Sequence, residues 1–242
     1  PHRRMEAWKW SDFKAALKAL ETPASASAKD PLPHDGVLVF RFTPTGFESP
    51  TALPDGLRMV AQPTTQAMGG AEDVPLGALA AALAGGGSRP AALTFEITSS
   101  DLPRLHFVFD GAGEASFARI IFVIRAGASL TLTESYLGGA GFTAALLEFN
   151  LEKGARLNRT IYQRGAADEA LAVTGLVNLD ADSEATQTTL AFGAKVARME
   201  TRAVHQGPGA KLTLNAAYLS GNGFHADITT HVRHGAPGCV TR

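Results

Sequence analysis

The stretch Gly127-Ala128-Ser129-Leu130-Thr131-Leu132 returns as Gly154-Ala155-Arg156-Leu157-Asn158-Arg159 and again as Gly209-Ala210-Lys211-Leu212-Thr213-Leu214. The first interval is 154 − 127 = 27 residues, and the second is 209 − 154 = 55, or two intervals of about 27. The intermediate copy is Asp182-Ser183-Glu184-Ala185, in which Asp and Ser replace Gly and Ala at the turn. A fixed period of 20–50 residues in a strand-rich chain is typical of stacked coils.

Apolar and polar residues alternate after each turn, which is the pattern of a strand with one buried face. The alternation predicts that Leu130, Leu132, Leu212 and Leu214 point inward, and that Ser129, Thr131, Thr133, Lys211, Thr213 and Asn215 point outward. Leu130, Leu157, Ala185 and Leu212 share one offset from their turns and should stack as a ladder. An aromatic residue also follows each turn: Tyr136, Tyr162, Phe192 and Tyr218. We therefore predict a mainly β fold, a β-solenoid, with an antiparallel sandwich as the alternative.

Composition narrows the classes of function. The 242 residues are 45% hydrophobic and 19% charged, with a formal net charge of −1, so no global field favours nucleic acid or an anionic membrane. Cys239 is the single cysteine, which excludes an intrachain disulfide and indicates a reducing, cytoplasmic setting. No apolar run approaches the roughly 18 residues that a membrane span needs, and no secretion signal is recognisable.

The N-terminal part has a different pattern. Ser11 or Asp12 is placed to cap an amphipathic helix that ends before Pro23, and Trp8 and Trp10 are expected to pack that helix against the body of the protein. Residues 61–103 are interpreted as variable helix and loop. We therefore divide the chain into an N-terminal helical and mixed α/β region, residues 1–104, and β-helix repeats, residues 105–242.

Catalytic motifs are scarce. The run Gly221-Asn222-Gly223-Phe224-His225-Ala226 matches a loose dinucleotide fingerprint, but β-rich sequence follows where that motif needs a helix, so we predict a solenoid turn. The sequence has no phosphate-binding Gly-x-x-x-x-Gly-Lys-Ser/Thr loop, and no Gly-x-Ser-x-Gly or His-Glu-x-x-His motif. We assign no catalytic, cofactor-binding or metal residues.

One chemically suggestive group is found near residue 242. It comprises His205, His225, His231, His234 and Cys239, residue types that bind iron or zinc. The period would allow residues 205, 231 and 234 to stack on neighbouring coils. The alternative is that they are outward or turn positions of a solenoid, and His234 and Cys239 are the two to test first.

The segment Arg3-Arg4-Met5-Glu6-Ala7-Trp8-Lys9-Trp10-Ser11-Asp12 resembles the opening of the SufD branch of the SufB/SufD family of iron–sulfur cluster assembly scaffolds. The resemblance continues through Gly46-Phe47, Leu53-Pro54-Asp55-Gly56-Leu57, Ala126-Gly127-Ala128, Glu134-Ser135-Tyr136, His225-x-Asp227 and His234-x-Ala236-Pro237-x-Cys239. It implies a right-handed parallel β-helix that acts without turnover, in association with SufB and the ATPase SufC. It also implies that the full complex handles the cluster transiently, that none is held by this chain alone, and that the family fold continues beyond residue 242.

Two other functions stay open. The first is a carbohydrate-active β-helix enzyme, which needs acidic residues converging on one groove. The available acids fall mainly at turns rather than at matching offsets; they are Glu134, Glu148, Glu152, Asp180, Asp182 and Glu184. The second is a purely structural solenoid. An exposed coil edge would also allow the chain to form homo-oligomers, because unpaired strand edges recruit partners.

Overall fold

A computed structural model describes residues 29–43, 46–62, 74–84, 92–111, 115–138, 141–165 and 168–242. The helix predicted near the N-terminus, with Trp8 and Trp10, lies outside these residues. One helix and fifteen strands are described. They are β1 (Leu38–Phe42), β2 (Phe47–Glu48), β3 (Leu57–Gln62), α1 (Pro75–Leu83), β4 (Ala92–Ile97), β5 (Leu105–Asp110), β6 (Ser116–Ile124), β7 (Ser129–Leu137), β8 (Gly141–Leu151), β9 (Arg156–Arg164), β10 (Glu169–Leu179), β11 (Glu184–Ala191), β12 (Val196–His205), β13 (Lys211–Tyr218), β14 (Ala226–His234) and β15 (Val240–Thr241).

Successive strands alternate between two sheets. One sheet has the order β15-β13-β11-β9-β7-β5-β1-β2, and the other has the order β14-β12-β10-β8-β6-β4-β3. Every pairing from β5 onward is parallel, so each coil contributes one strand to each sheet. The prediction of a parallel β-solenoid is confirmed, and the antiparallel sandwich was wrong. The right-handed sense implied by the resemblance stays a prediction.

The repeat has the predicted length and register. Leu130 pairs with Leu157, Leu157 with Ala185 and Ala185 with Leu212, so the four residues form the expected ladder across adjacent strands. All four are buried. A constant period works because each residue meets its equivalent on the next coil, about 4.8 Å away, and apolar positions stack on apolar positions.

Side chains of these strands face inward or outward as the alternation predicts, apart from two exceptions. Leu130, Leu132 and Leu212 are buried, whereas Thr131 and Lys211 are exposed. Leu214 is only half-buried. Thr133, predicted to be outward and exposed, is buried. It pairs with His106 of β5 on a face that the segment beginning at residue 29 covers.

The aromatic residues that follow each turn lie at nearly, but not fully, constant offsets, so they are not all in register. Tyr162 and Phe192 are in contact, with ring centroids 5.5 Å apart. Tyr136 is in register with Gln163, one position beyond Tyr162, because the spacing from the turn varies by a residue between coils. Aromatic stacking occurs elsewhere in the core. Phe95, Phe122 and Phe149 pair in register on β4, β6 and β8, with ring centroids 5.4 Å and 4.9 Å apart.

Strands before residue 105 extend the same stack. β1 pairs in parallel with β5 and β4 in parallel with β6, and the antiparallel strands β2 and β3 form the outer edges at this end. The helix predicted between residues 61 and 103 is present as α1, whose Leu76, Ala80 and Ala81 pack on the outer face of β8 and β10. The interpretation of the rest as loop was wrong for residues 92–97, which form β4.

Candidate functional site

The structure brings together two of the five residues in the C-terminal histidine and cysteine group. His205 of β12 and His234 of β14 are in register, and their rings stack with centroids 4.5 Å apart. Both Nε2 atoms lie within hydrogen-bonding distance of Thr241 Oγ1, at 3.0 Å for His205 and 3.1 Å for His234. Stacking of these two histidines on neighbouring coils was predicted correctly.

The other three residues of that group lie apart from this pair. His231 is in register with Arg202 rather than with a histidine, and His225 lies in the turn before β14. The Cys239 thiol is 3.4 Å from the carbonyl oxygen of Gly207 and 3.7 Å from that of Pro237. The turn at residues 221–226 leads into strand β14, so the solenoid-turn prediction for the loose dinucleotide motif is confirmed.

The environment of His205 favours its neutral form. Burial lowers the pKa of His205, because desolvation penalises the imidazolium, and the neighbouring His234 lowers this pKa further. The side chain is fully buried, whereas His234 is exposed. A neutral imidazole hydrogen-bonded to a threonine hydroxyl is a stable structural arrangement at neutral pH.

A second cluster joins the segment before β1 to the outer face of the first sheet. Asp30 Oδ2 lies 3.0 Å from His34 Nε2 and 3.1 Å from His106 Nε2. Ser135 Oγ, on the neighbouring strand β7, is 2.9 Å from His106 Nε2 and 3.2 Å from Asp30 Oδ1. Asp30 also accepts a hydrogen bond from the backbone N–H of Leu32, which fixes the direction of its carboxylate.

The chemistry of this cluster depends on His106. Its side chain is fully buried, and burial lowers its pKa, an effect that the Asp30 carboxylate opposes. Ser135 and Asp30 both approach Nε2, whereas a serine–histidine–aspartate triad needs the two partners on opposite ring nitrogens. This geometry therefore cannot pass a proton from Ser135 through His106 to Asp30.

A buried ion pair lies between the two sheets. Arg159 donates from Nε to Glu134 Oε1 at 2.6 Å and from Nη2 to Glu134 Oε2 at 2.9 Å. Tyr136 donates its hydroxyl to the same carboxylate at 2.8 Å, and Arg159 Nη1 donates to Gln187 Oε1 at 2.9 Å. A Cβ atom at Gly175 would collide with Arg159 Nη1, so glycine makes the space that the guanidinium occupies.

The acidic residues considered for a carbohydrate-active enzyme do not converge. Glu134 is fully buried in the ion pair and inaccessible to a polysaccharide. Glu148 lies in β8 on the other sheet and pairs with Arg119 at 2.8 Å. Both lie within strands, away from the turns. As expected, turns contain Glu152, Asp180 and Asp182.

β13, β14 and β15 form the last described coil. β14 is the edge strand of its sheet, and β15 pairs with only Lys211 and Leu212 of β13. A pocket of about 450 Å³ lies between β13 and β14, lined by Ala216, Tyr218, His225, Ala226, Asp227, Ile228 and Thr230. Nearby, Tyr218 is 70% exposed and Leu219 is 72% exposed. This coil end combines apolar side chains with strand edges.

Two features of the site were missed from sequence, although both left a signal. His106 interrupts the apolar run Leu105-His106-Phe107-Val108-Phe109, and a lone polar side chain in such a strand needs a partner. Arg159 occupies the position equivalent to inward-facing Leu132, so the repeat alone places a guanidinium in the core. Nothing in the sequence placed Asp30 and His34 beside His106, because a strand-free segment connects them to β1.

Among the described residues, no helix combines the length and the apolar character needed to cross a membrane. A comparison with curated proteins found no significant match. A comparison with protein families matched residues 107–242 to the SufBD core domain of the SUF system for FeS cluster assembly. These residues run from β5 to β15, so the match covers the stacked coils and more than half of the chain. The chain therefore belongs to the SufBD core domain family of iron–sulfur cluster assembly proteins.

Proposed function

We propose that this protein is a SufD-type scaffold subunit that contributes to iron–sulfur cluster assembly by associating with SufB and the ATPase SufC. The family supports a role in cluster assembly within the SUF system. The proposal rests on the parallel stack of coils, β5 to β15, that the family match covers. The SufD-like opening motif, Arg3 to Asp12, supports the assignment to the SufD branch.

The family match within the SUF system supports partners that are proteins. The near-neutral net charge gives no reason to expect nucleic acid as the partner.

The proposed role requires no turnover by this chain. The sequence has no phosphate-binding loop, so ATP hydrolysis is assigned to SufC. Its single cysteine falls short of the roughly four thiolates that an all-cysteine cluster needs. We therefore propose that the cluster is built on the assembled complex and that this chain contributes shape and contacts.

Size-exclusion chromatography with light scattering, on the chain mixed with SufB and SufC, tests the proposal. We expect a stoichiometric complex from the unmodified chain. No complex with the unmodified chain would contradict the proposal.

A further inference from the structure

The cluster of Asp30, His34 and His106 has the composition and spacing of a metal site. Within the described part of the chain, it is the one group that brings three histidine, cysteine or carboxylate donor atoms within 4.8 Å of one another. Two imidazole nitrogens lie 3.0 Å and 3.1 Å from a single carboxylate oxygen. Donor atoms bound about 2.0–2.1 Å from a tetrahedral ion are separated by little more than 3 Å, so small side-chain shifts suffice.

We propose that Asp30, His34 and His106 form a binding site for a divalent first-row transition metal, Zn²⁺ or Fe²⁺. Two imidazoles and one carboxylate are a donor set that both ions accept, and each ion then keeps open positions for water or another ligand. The site joins the segment before β1 to strand β5, so it does not depend on the proposed association with SufB and SufC.

The surroundings of the cluster support pre-organisation. The carboxylate of Asp30 is held by the Leu32 N–H and faces Ser135 Oγ, and the His106 ring is enclosed by the protein. His34 is the accessible member, with 37% of its side chain exposed, so an ion can enter from that side. The ring of His34 meets that of His106 edge-on, with centroids 4.9 Å apart.

Two arginine side chains, Arg41 and Arg104, place positive charge near His106. Arg41 lies 3.6 Å from Asp110 and 3.9 Å from Glu48, so two carboxylates accompany it. A metal bound here would join the segment around residues 30–34 to strand β5, so binding should also stabilise the fold.

The test uses the full chain without a histidine tag. Isothermal titration with Zn²⁺, and anaerobic titration with Fe²⁺, should each be compared for the unmodified chain, Asp30→Asn, His34→Ala, His231→Ala and His234→Ala. We expect one equivalent of at least one metal to bind, with affinity lowered more than about a hundredfold by His34→Ala or Asp30→Asn, since outer-shell changes alone cost 10–100-fold. His231→Ala should bind as the unmodified chain does, because His231 is an exposed histidine on β14 outside the cluster.

The comparison of the two metals shows which ion the site binds. Tighter Zn²⁺ binding that raises the melting temperature indicates a structural ion, whereas retention of Fe²⁺ against a zinc chelator indicates an iron site. Absence of saturable binding of both metals overturns the proposal. So does binding that survives His34→Ala unchanged, or that is lost instead in His234→Ala, since the latter places the ion beside His205.

Discussion

Replacement of Glu134 by glutamine should be among the most destabilising polar substitutions in the coils. Glu134 and Arg159 are both fully buried, and two charge-assisted hydrogen bonds of 2.6 Å and 2.9 Å join them. Glutamine keeps one acceptor oxygen but removes the negative charge, so Arg159 stays buried without its counter-ion. Removal of one charge of a buried pair is expected to cost roughly 3–5 kcal/mol. Arg159 cannot release its proton, so the penalty persists across the accessible pH range.

Urea denaturation followed by circular dichroism measures this cost. Glu184→Gln is the matched control, because Glu184 and Arg156 form the same kind of pair on the outer face, 4.0 Å apart and 47% and 73% exposed. An exposed pair of this kind contributes about 0–1 kcal/mol. The double variant Glu134→Gln with Arg159→Met should be more stable than Glu134→Gln alone, because it removes the stranded charge. Equal midpoints for Glu134→Gln and Glu184→Gln would refute burial of the ion pair.

Three further outcomes are expected. Leu212→Asp should lower the free energy of unfolding by about 3 kcal/mol or more, because it places a carboxylate in an apolar ladder. Lys211→Asp, on the outward face, should lower it by about 0.5 kcal/mol. Equal losses in a urea titration would contradict the assigned faces. Because the pKa of His205 is lowered in the folded protein, the unfolded chain binds more protons, and the free energy of unfolding should fall as pH drops below about 6.5. His205→Gln should lessen that fall in thermal unfolding. An unchanged dependence of the melting temperature on pH would argue against this role of His205. Anaerobic reconstitution of the chain alone with iron and sulfide should give no stoichiometric cluster by absorption spectroscopy, and a cluster lost in Cys239→Ser would show the opposite.

The repeat could be predicted from sequence because each coil reuses one local rule. The turn residues and the alternation after them place Leu130, Leu157, Ala185 and Leu212 at one offset, and the parallel register follows. The aromatic residues follow the rule less closely. Tyr136 lies nine residues after Gly127 whereas Tyr162 lies eight after Gly154, so Tyr136 is in register with Gln163.

The candidate metal cluster could not be predicted, because only one of its three residues lies in a repeating strand. His106 lies in a strand whose position the repeat fixes, whereas Asp30 and His34 belong to a segment without periodicity. Only tertiary packing brings that segment against β5 and β7. The pairing of His205 with His234 was accessible, because both lie in repeating strands one coil apart.

Cluster formation by the assembled proteins is the strongest test of whether this chain acts as a scaffold subunit. SufB and SufC are supplied anaerobically with ATP, ferrous iron and a sulfide source, with and without this chain, and bound iron and sulfide are measured after gel filtration. We expect the added chain to raise the cluster yield of the complex and to co-elute with it, while ATP hydrolysis remains dependent on SufC. An equal yield without the chain, or a chain that elutes apart from the cluster-bearing proteins, would contradict it.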